Sequence, residues 1–270
     1  MPRKATLVAD ALDCGVEPFT ALISPVRRCL SREVYAFRTV RQINSLQLGV
    51  LLPTQYRNVC DRTQQSVRLA KNDLRAAIRF TKKLDEDGIE YNWISTYIPL
   101  KLALKTNTAE IAEEILKAEG FQSPSKICLE ISSDALYEDT DKIEAALKDF
   151  KLLGFTTAIT AFGDDFCPIN RLYGLPFDIC MFDASVAEKA ESSAGLRSVS
   201  HMTAFVKSNE SDPVICVAGR KSKSANTIRP VKPDIYSQAG FSGYTSFEGD
   251  DNGWTTWDEY TNTETTGREG

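Results

Sequence analysis

A single histidine, His201, serves all 270 residues. Clustered histidine metal ligands are therefore excluded, and Ser–His–Asp chemistry would rest on one ring with no nucleophile motif beside it. No two cysteines have CxxC spacing. The seven present (Cys14, Cys29, Cys60, Cys128, Cys167, Cys180 and Cys216) are odd in number and scattered, which argues against a disulfide framework or a zinc site. Several lie in apolar runs, where a free thiol behaves as a small hydrophobe, and the set suits a reducing cytoplasm. No apolar run approaches the ~20 residues of a membrane span. The acid-interrupted start MPRKATLVADALDCG does not read as a signal peptide. Membrane insertion is not expected, so a membrane link would come through a partner. There is no excess of positive charge either. The net charge is −5, and nucleic acid is not an expected partner.

What is present is a 42% hydrophobic chain, enough for one large barrel or two modest domains. Its charge is split. From Ser246 to Gly270 there are seven acidic residues and one arginine, which leaves the rest close to neutral. The expected division is an N-terminal segment 1–18, a folded body 19–245 and an acidic tail 246–270 without fixed structure. The tail also holds Trp254, Trp257 and Tyr260, an acidic-aromatic pattern that a partner could read.

The body alternates β-rich runs with helical periodicity, the mark of parallel α/β architecture. Strands are predicted at Phe19–Ile23, Glu33–Val40, Trp93–Ile98, Ile127–Ile131, Thr156–Ala161, Ile179–Phe182 and Val214–Val217. Helices are predicted over Val67–Leu84, from Asn107 to a left-handed stop at Gly120, and over Thr140–Leu153 before Gly154. Asn107 and Glu110 have capping-box spacing. Seven strands with intervening helices fit a barrel. An open doubly wound sheet fits the same pattern, but no phosphate-binding glycine fingerprint follows any strand.

Several segments then narrow the choice. LPFDICMFD (Leu175–Asp183), LGFTTAITAFG (Leu153–Gly163), LEISSDAL (Leu129–Leu136) and GVLLPTQYRNVCD (Gly49–Asp61) occur in this order. They resemble the LPxDxxKxD, LGxxxxxDDFG, LEITESAL and GxxxPxxFIxxAE segments of the bacterial EAL family of cyclic di-GMP phosphodiesterases. Ser24-Pro25-Val26 is similar to that family's Gln-Pro-Ile, and Arg38–Gln42 falls where Glu-Ala-Leu-Leu-Arg is expected. The resemblance runs from about Phe19 to Tyr244. It implies an α/β fold, a TIM-like (β/α)8 barrel of EAL type with its first strand antiparallel.

The resemblance also implies a chemistry, phosphodiester hydrolysis by two divalent cations held among carboxylates and an asparagine. Carried over residue by residue, the signature glutamate is Arg38 and the asparagine after the third strand is Tyr97. The second glutamate of LEITE is Ser133, the two aspartates of DDFG are Thr160 and Ala161, and the lysine of KxD is Met181. The glutamates of EGVE fall on Val217 and Arg220. Glu130, Asp183 and Gln238 remain. A slipped register would offer Asp164 and Asp165 instead, but Phe162-Gly163 matches the family's Phe-Gly. Hard cations need several oxygen ligands, and a fixed guanidinium at Arg38 repels Mg²⁺ by several kcal/mol even under protein-like screening. The expectation is no catalytic residue, no metal and no cofactor. Arg38 is expected to pair with Glu130 in the vacated position.

A second feature is the basic stretch Gly219–Asp234, with Arg220, Lys221, Lys223, Arg229 and Lys232. It follows the seventh predicted strand and is expected to make the mouth of the barrel positive. Three functions are carried forward. The first is a non-catalytic regulatory protein acting through a protein partner. The second is a metal-free cyclic di-GMP receptor, against which stand Ser24 and Gln42 at the family's ligand-gripping Gln and Arg positions. The third is an active phosphodiesterase. The family resemblance further implies a homodimer.

Overall fold

The computed structural model describes residues 19–45, 48–51, 56, 65–164, 167–219, 227–238, 245–248 and 253–254. Eight strands close into a barrel: β1 (Phe19–Arg28), β2 (Val34–Ser45), β4 (Ile94–Tyr97), β5 (Ile127–Ser132), β6 (Thr156–Phe162), β7 (Ile179–Phe182), β8 (Val214–Gly219) and β9 (Ile235–Gln238). From β2 round to β9 every neighbour is parallel. β1 closes the ring antiparallel to both β2 and β9. Three short strands extend the sheet at its edges: β3 (Gly49–Leu51), β10 (Thr245–Glu248) and β11 (Gly253–Trp254). The last two fall in the segment expected to lack fixed structure.

Most of the parallel strands are short and largely buried because both their faces are covered. Ile179, Cys180, Met181 and Phe182 are all buried. Helix α1 (Gln65–Glu86) turns Leu74, Ala77 and Ile78 onto the barrel wall. Between β4 and β5 lie a single turn, α2 (Leu100–Ala103), and α3 (Thr108–Ala118), which buries Ile115 and Leu116 and leaves Ile111 half-buried. After β5 come α4 (Ala135–Glu138) and α5 (Thr140–Leu152), the latter burying Ile143, Leu147 and Phe150. After β7 come α6 (Ala184–Lys189) and α7 (Ser193–Lys207). Gly120 and Gly154 take the left-handed stop conformation read from the sequence, at φ +59° and +88°. His201 is an exposed residue of α7. No helix among the described residues is long and apolar enough to cross a membrane.

Two local expectations are corrected. Asn107 does not cap α3 through its side chain, because its backbone (φ −108°, ψ 24°) is not in the extended geometry a side-chain cap needs. Instead Thr108 Oγ1 donates to Lys105 O at 2.9 Å and also to Leu102 O. The eighth barrel strand, β9, has no place among the seven predicted ones. Its sequence Ile-Tyr-Ser-Gln is only half apolar and follows Lys-Pro-Asp.

The thiols occupy the core as small hydrophobes. Cys128, Cys180 and Cys216 are buried, and Cys29 and Cys167 half-buried, all free. Cys14 and Cys60 lie outside the described residues. Burial pushes the Cys216 thiol up to about 12, with the Arg38 guanidinium opposing it. Burial likewise raises Cys128 and Cys180 well above the usual thiol range. Because the thiolate is the reacting species, these three should resist a disulfide reagent at pH 8 in the native protein and react at once in denaturant. Fast labelling of Cys216 in the folded state would contradict this burial.

Candidate functional site

The carboxyl ends of the parallel strands form the mouth of the barrel. Alternation along each strand sends every second side chain inward. Val26, Ala36, Trp93, Cys128, Ala158, Met181 and Cys216 meet in one buried apolar cluster inside the barrel. This layer is the floor of the site. Two residues further along β2, β4 and β5, the inward side chains are Arg38, Ser95 and Glu130.

These three form the polar centre of the mouth. Arg38 Nε donates to Glu130 Oε1 at 2.8 Å, and its second terminal nitrogen donates to Oε2 at 2.6 Å. Ser95 Oγ also donates to Glu130 Oε1. On the paired strands Arg38 stands opposite Ser95, while Glu130 stands opposite Tyr97, two residues further along β4. The Glu130 side chain is 5% exposed and that of Arg38 24%. Both carboxylate oxygens are thus engaged by a two-pronged guanidinium, the arrangement of strongest charge-assisted bonding.

The other expected residues lie around this pair. Thr160 is buried at 7% exposure. Ala161 sits at φ +57°, in an irregularity between β6 and β7, and Ser133 Oγ donates to its carbonyl at 3.2 Å. Met181 is corrected from the mouth to the floor, where it is 2% exposed in the apolar cluster. Asp183 is drawn off as the cap of α6, its Oδ1 accepting from Ser185 N at 2.8 Å. Gln238 ends β9 at the mouth, its side chain outside the described residues. Tyr97 borders a cleft outside the barrel wall, together with Thr39, Arg41, Ser66 and Thr96.

The basic stretch is not one patch at the mouth. Arg220, Lys221 and Lys223 lie outside the described residues. Arg229 and Lys232 are corrected to the opposite end of the barrel, because the chain must travel its full height between the top of β8 and the bottom of β9. Arg229 there acts electrostatically on Cys29, whose backbone N–H bonds Asp234 O at 3.2 Å.

Sequence reasoning missed two contributors. Ser95 was legible in principle, since period-two alternation puts it on the same face as Trp93 of the floor. Arg41 was not. It points outward from β2 to Asp73 of α1 at 2.8 Å and to Leu69 O at 2.9 Å, and Tyr56 donates to its carbonyl at 2.9 Å.

A divalent cation would need several free oxygen ligands. Among the described residues no three acidic, cysteine or histidine side chains converge, and Glu130 has both oxygens on Arg38. These residues do not fit such an ion.

An (β/α)8 barrel with a reversed first strand and a charged pair at its carboxyl-end mouth defines a protein whose chemistry, of whatever kind, belongs at that mouth. This chain belongs to the EAL domain family, whose model matches residues 19–215. A curated relative, an uncharacterized signaling protein of Caulobacter vibrioides, is 31% identical over 98 residues, 33% of this chain and 12% of that protein. The chain therefore spans only a small part of that relative's length. Among solved structures, the PaMucR phosphodiesterase in complex with c-di-GMP superposes with a TM-score of 0.76 at 16% identity, covering 87% of this chain and 94% of that one. The FimX EAL domain from Pseudomonas aeruginosa bound to c-di-GMP gives 0.72 at 13% identity, covering 87% and 93%. At such identities the likeness is one of fold.

Proposed function

We propose that this chain is a non-catalytic EAL domain, its barrel spanning residues 19–245, that acts through a protein partner in or near cyclic di-GMP signalling. The observation that carries this reading is the bidentate Arg38–Glu130 pair. A fixed cation stands where metal-dependent cleavage needs anionic ligands, and the one buried carboxylate beside it is already neutralised. Residues kept for hydrolysis would be under no pressure to form such a pair. A retained barrel whose buried mouth carboxylate is tied to a guanidinium suits a surface that other proteins read.

The test is hydrolysis of cyclic di-GMP by stoichiometric protein with Mg²⁺ or Mn²⁺. No turnover above buffer is expected. Metal-dependent turnover that disappears in Glu130→Ala would overturn the proposal. The second reading, a metal-free receptor, is favoured by the likeness of fold to the FimX EAL domain, whose structure is bound to c-di-GMP. Calorimetry separates the two. Binding with the same affinity in Mg²⁺ and in chelator supports the receptor, and no heat in either supports the protein-binding reading.

A further inference from the structure

The end of the barrel opposite the mouth carries a basic, partly apolar face that the proposed function does not use. The β1–β2 hairpin turns there through Cys29–Glu33. Leu30 at its tip is 70% exposed. Arg27 donates to Arg32 O at 3.0 Å, and Arg32 N bonds Arg28 O. The Arg28 guanidinium lies 4.7 Å from the Tyr35 ring centre. Arg28 is paired with Ile235 of β9, and the exposed Arg229 and Lys232 come from the segment leading into that strand. Among the described residues, Arg27, Arg28, Arg32, Lys207, Arg229 and Lys232 therefore stand against Glu33, Asp212 and Asp234. Lys207 reaches Asp234 at 3.1 Å and Asp212 at 3.5 Å, and Glu33 accepts from Ser31 at 2.8 Å.

A complementary segment exists in the same chain. Residues 255–270 hold Asp258, Glu259, Glu264 and Glu269 against Arg268, with Trp257 and Tyr260. The strands before it set its direction. β10 pairs antiparallel with β1 at Ala21–Ile23 and so runs toward the mouth. β11 turns back antiparallel on β10, with Trp254 opposite Phe247, and leaves the chain heading toward the basic end. From the level of Ala21 to Arg28 is seven residues of strand, about 23 Å at ~3.3 Å each. Sixteen residues reach up to about 50 Å, so the segment is long enough to arrive and lie across the face.

We infer that the acidic-aromatic segment Thr255–Gly270 docks on its own barrel at the Arg28–Leu30–Arg229 face. Carboxylates meet guanidinium groups, and Trp257 or Tyr260 packs on Leu30 and stacks with arginine. Tethering favours the chain's own segment over a free one, because a short tether holds it at millimolar effective concentration. The docked segment masks this face from any acidic partner of the same chemistry.

The experiment uses a fluorescent synthetic peptide of residues 255–270 and full-length protein, read by anisotropy. Wild type should bind it weakly, its face being occupied. Asp258→Lys/Glu259→Lys/Glu264→Lys, which releases the tethered segment, should bind it at least ~10-fold more tightly, and less so as salt rises. Adding Arg28→Glu/Arg229→Glu or Leu30→Ser to that variant should abolish the gain. Equal binding to wild type and the released variant, or binding indifferent to the hairpin changes, overturns the inference. So does a wild-type mass in light scattering that falls with added salt, which would put the segment on a second copy.

Discussion

Replacing Arg38 with Met should lower the unfolding free energy by about 3–5 kcal/mol, the usual result of stripping one partner from a buried ion pair. The reason is geometric. Glu130 is 5% exposed and would lose both guanidinium bonds, with the Ser95 hydroxyl still donating to Oε1. Glu130→Gln should cost less, toward the lower end of that range, because the Arg38 guanidinium at 24% exposure can take up some water. The double replacement Arg38→Met/Glu130→Leu should recover most of the deficit, since an apolar pair of similar volume avoids the desolvation of both charges. Urea unfolding of wild type, Arg38→Met, Glu130→Leu and the double variant gives the coupling directly. A double variant no more stable than Arg38→Met would mean that the two groups do not act as a unit.

The second large effect is expected at Gly163→Ala. Gly163 follows β6 at φ +83°, where a Cβ costs about 1–2 kcal/mol. The added methyl would also sit 2.4 Å from Met202 Cε and 2.7 Å from Val186 Cγ2. Met202 can swing aside, but Val186 is branched and 1% exposed, so overpacking adds about 1–3 kcal/mol. The melting temperature should fall by on the order of 10 °C. Val186→Ala in the same chain should return part of it. A Gly163→Ala protein that melts with wild type would show that the turn relaxes freely.

Much of this was readable before any coordinates. Ile127–Ile131, Ile179–Phe182 and Val214–Val217 are largely apolar runs whose burial makes strands the natural reading, and the glycine stops of α3 and α5 have the backbone angles their positions imply. The reversed first strand came from resemblance alone, because no residue in β1 announces its direction. The Arg38–Glu130 pair was anticipated because two oppositely charged residues were assigned to neighbouring strand ends. Ser95 went unnoticed because a small hydroxyl has no charge to advertise it. Arg229 and Lys232 were misplaced for a different reason. Neighbours in a loop were treated as neighbours in space, while the chain there descends from one end of the barrel to the other. Met181 lies at the floor because its strand register sets it opposite Cys216, a member of the same buried layer.

The antiparallel β1 has a topological effect on how the barrel is wired. In an all-parallel ring, incoming polypeptide arrives beneath the strands, remote from the rim where ligands gather. Here Phe19 stands above Arg38 on the paired strand, so β1 enters the barrel from the rim, and β9 ends at that same rim. A module joined ahead of β1 would therefore meet the opening first, and a tug on that linker would be felt there without crossing the barrel.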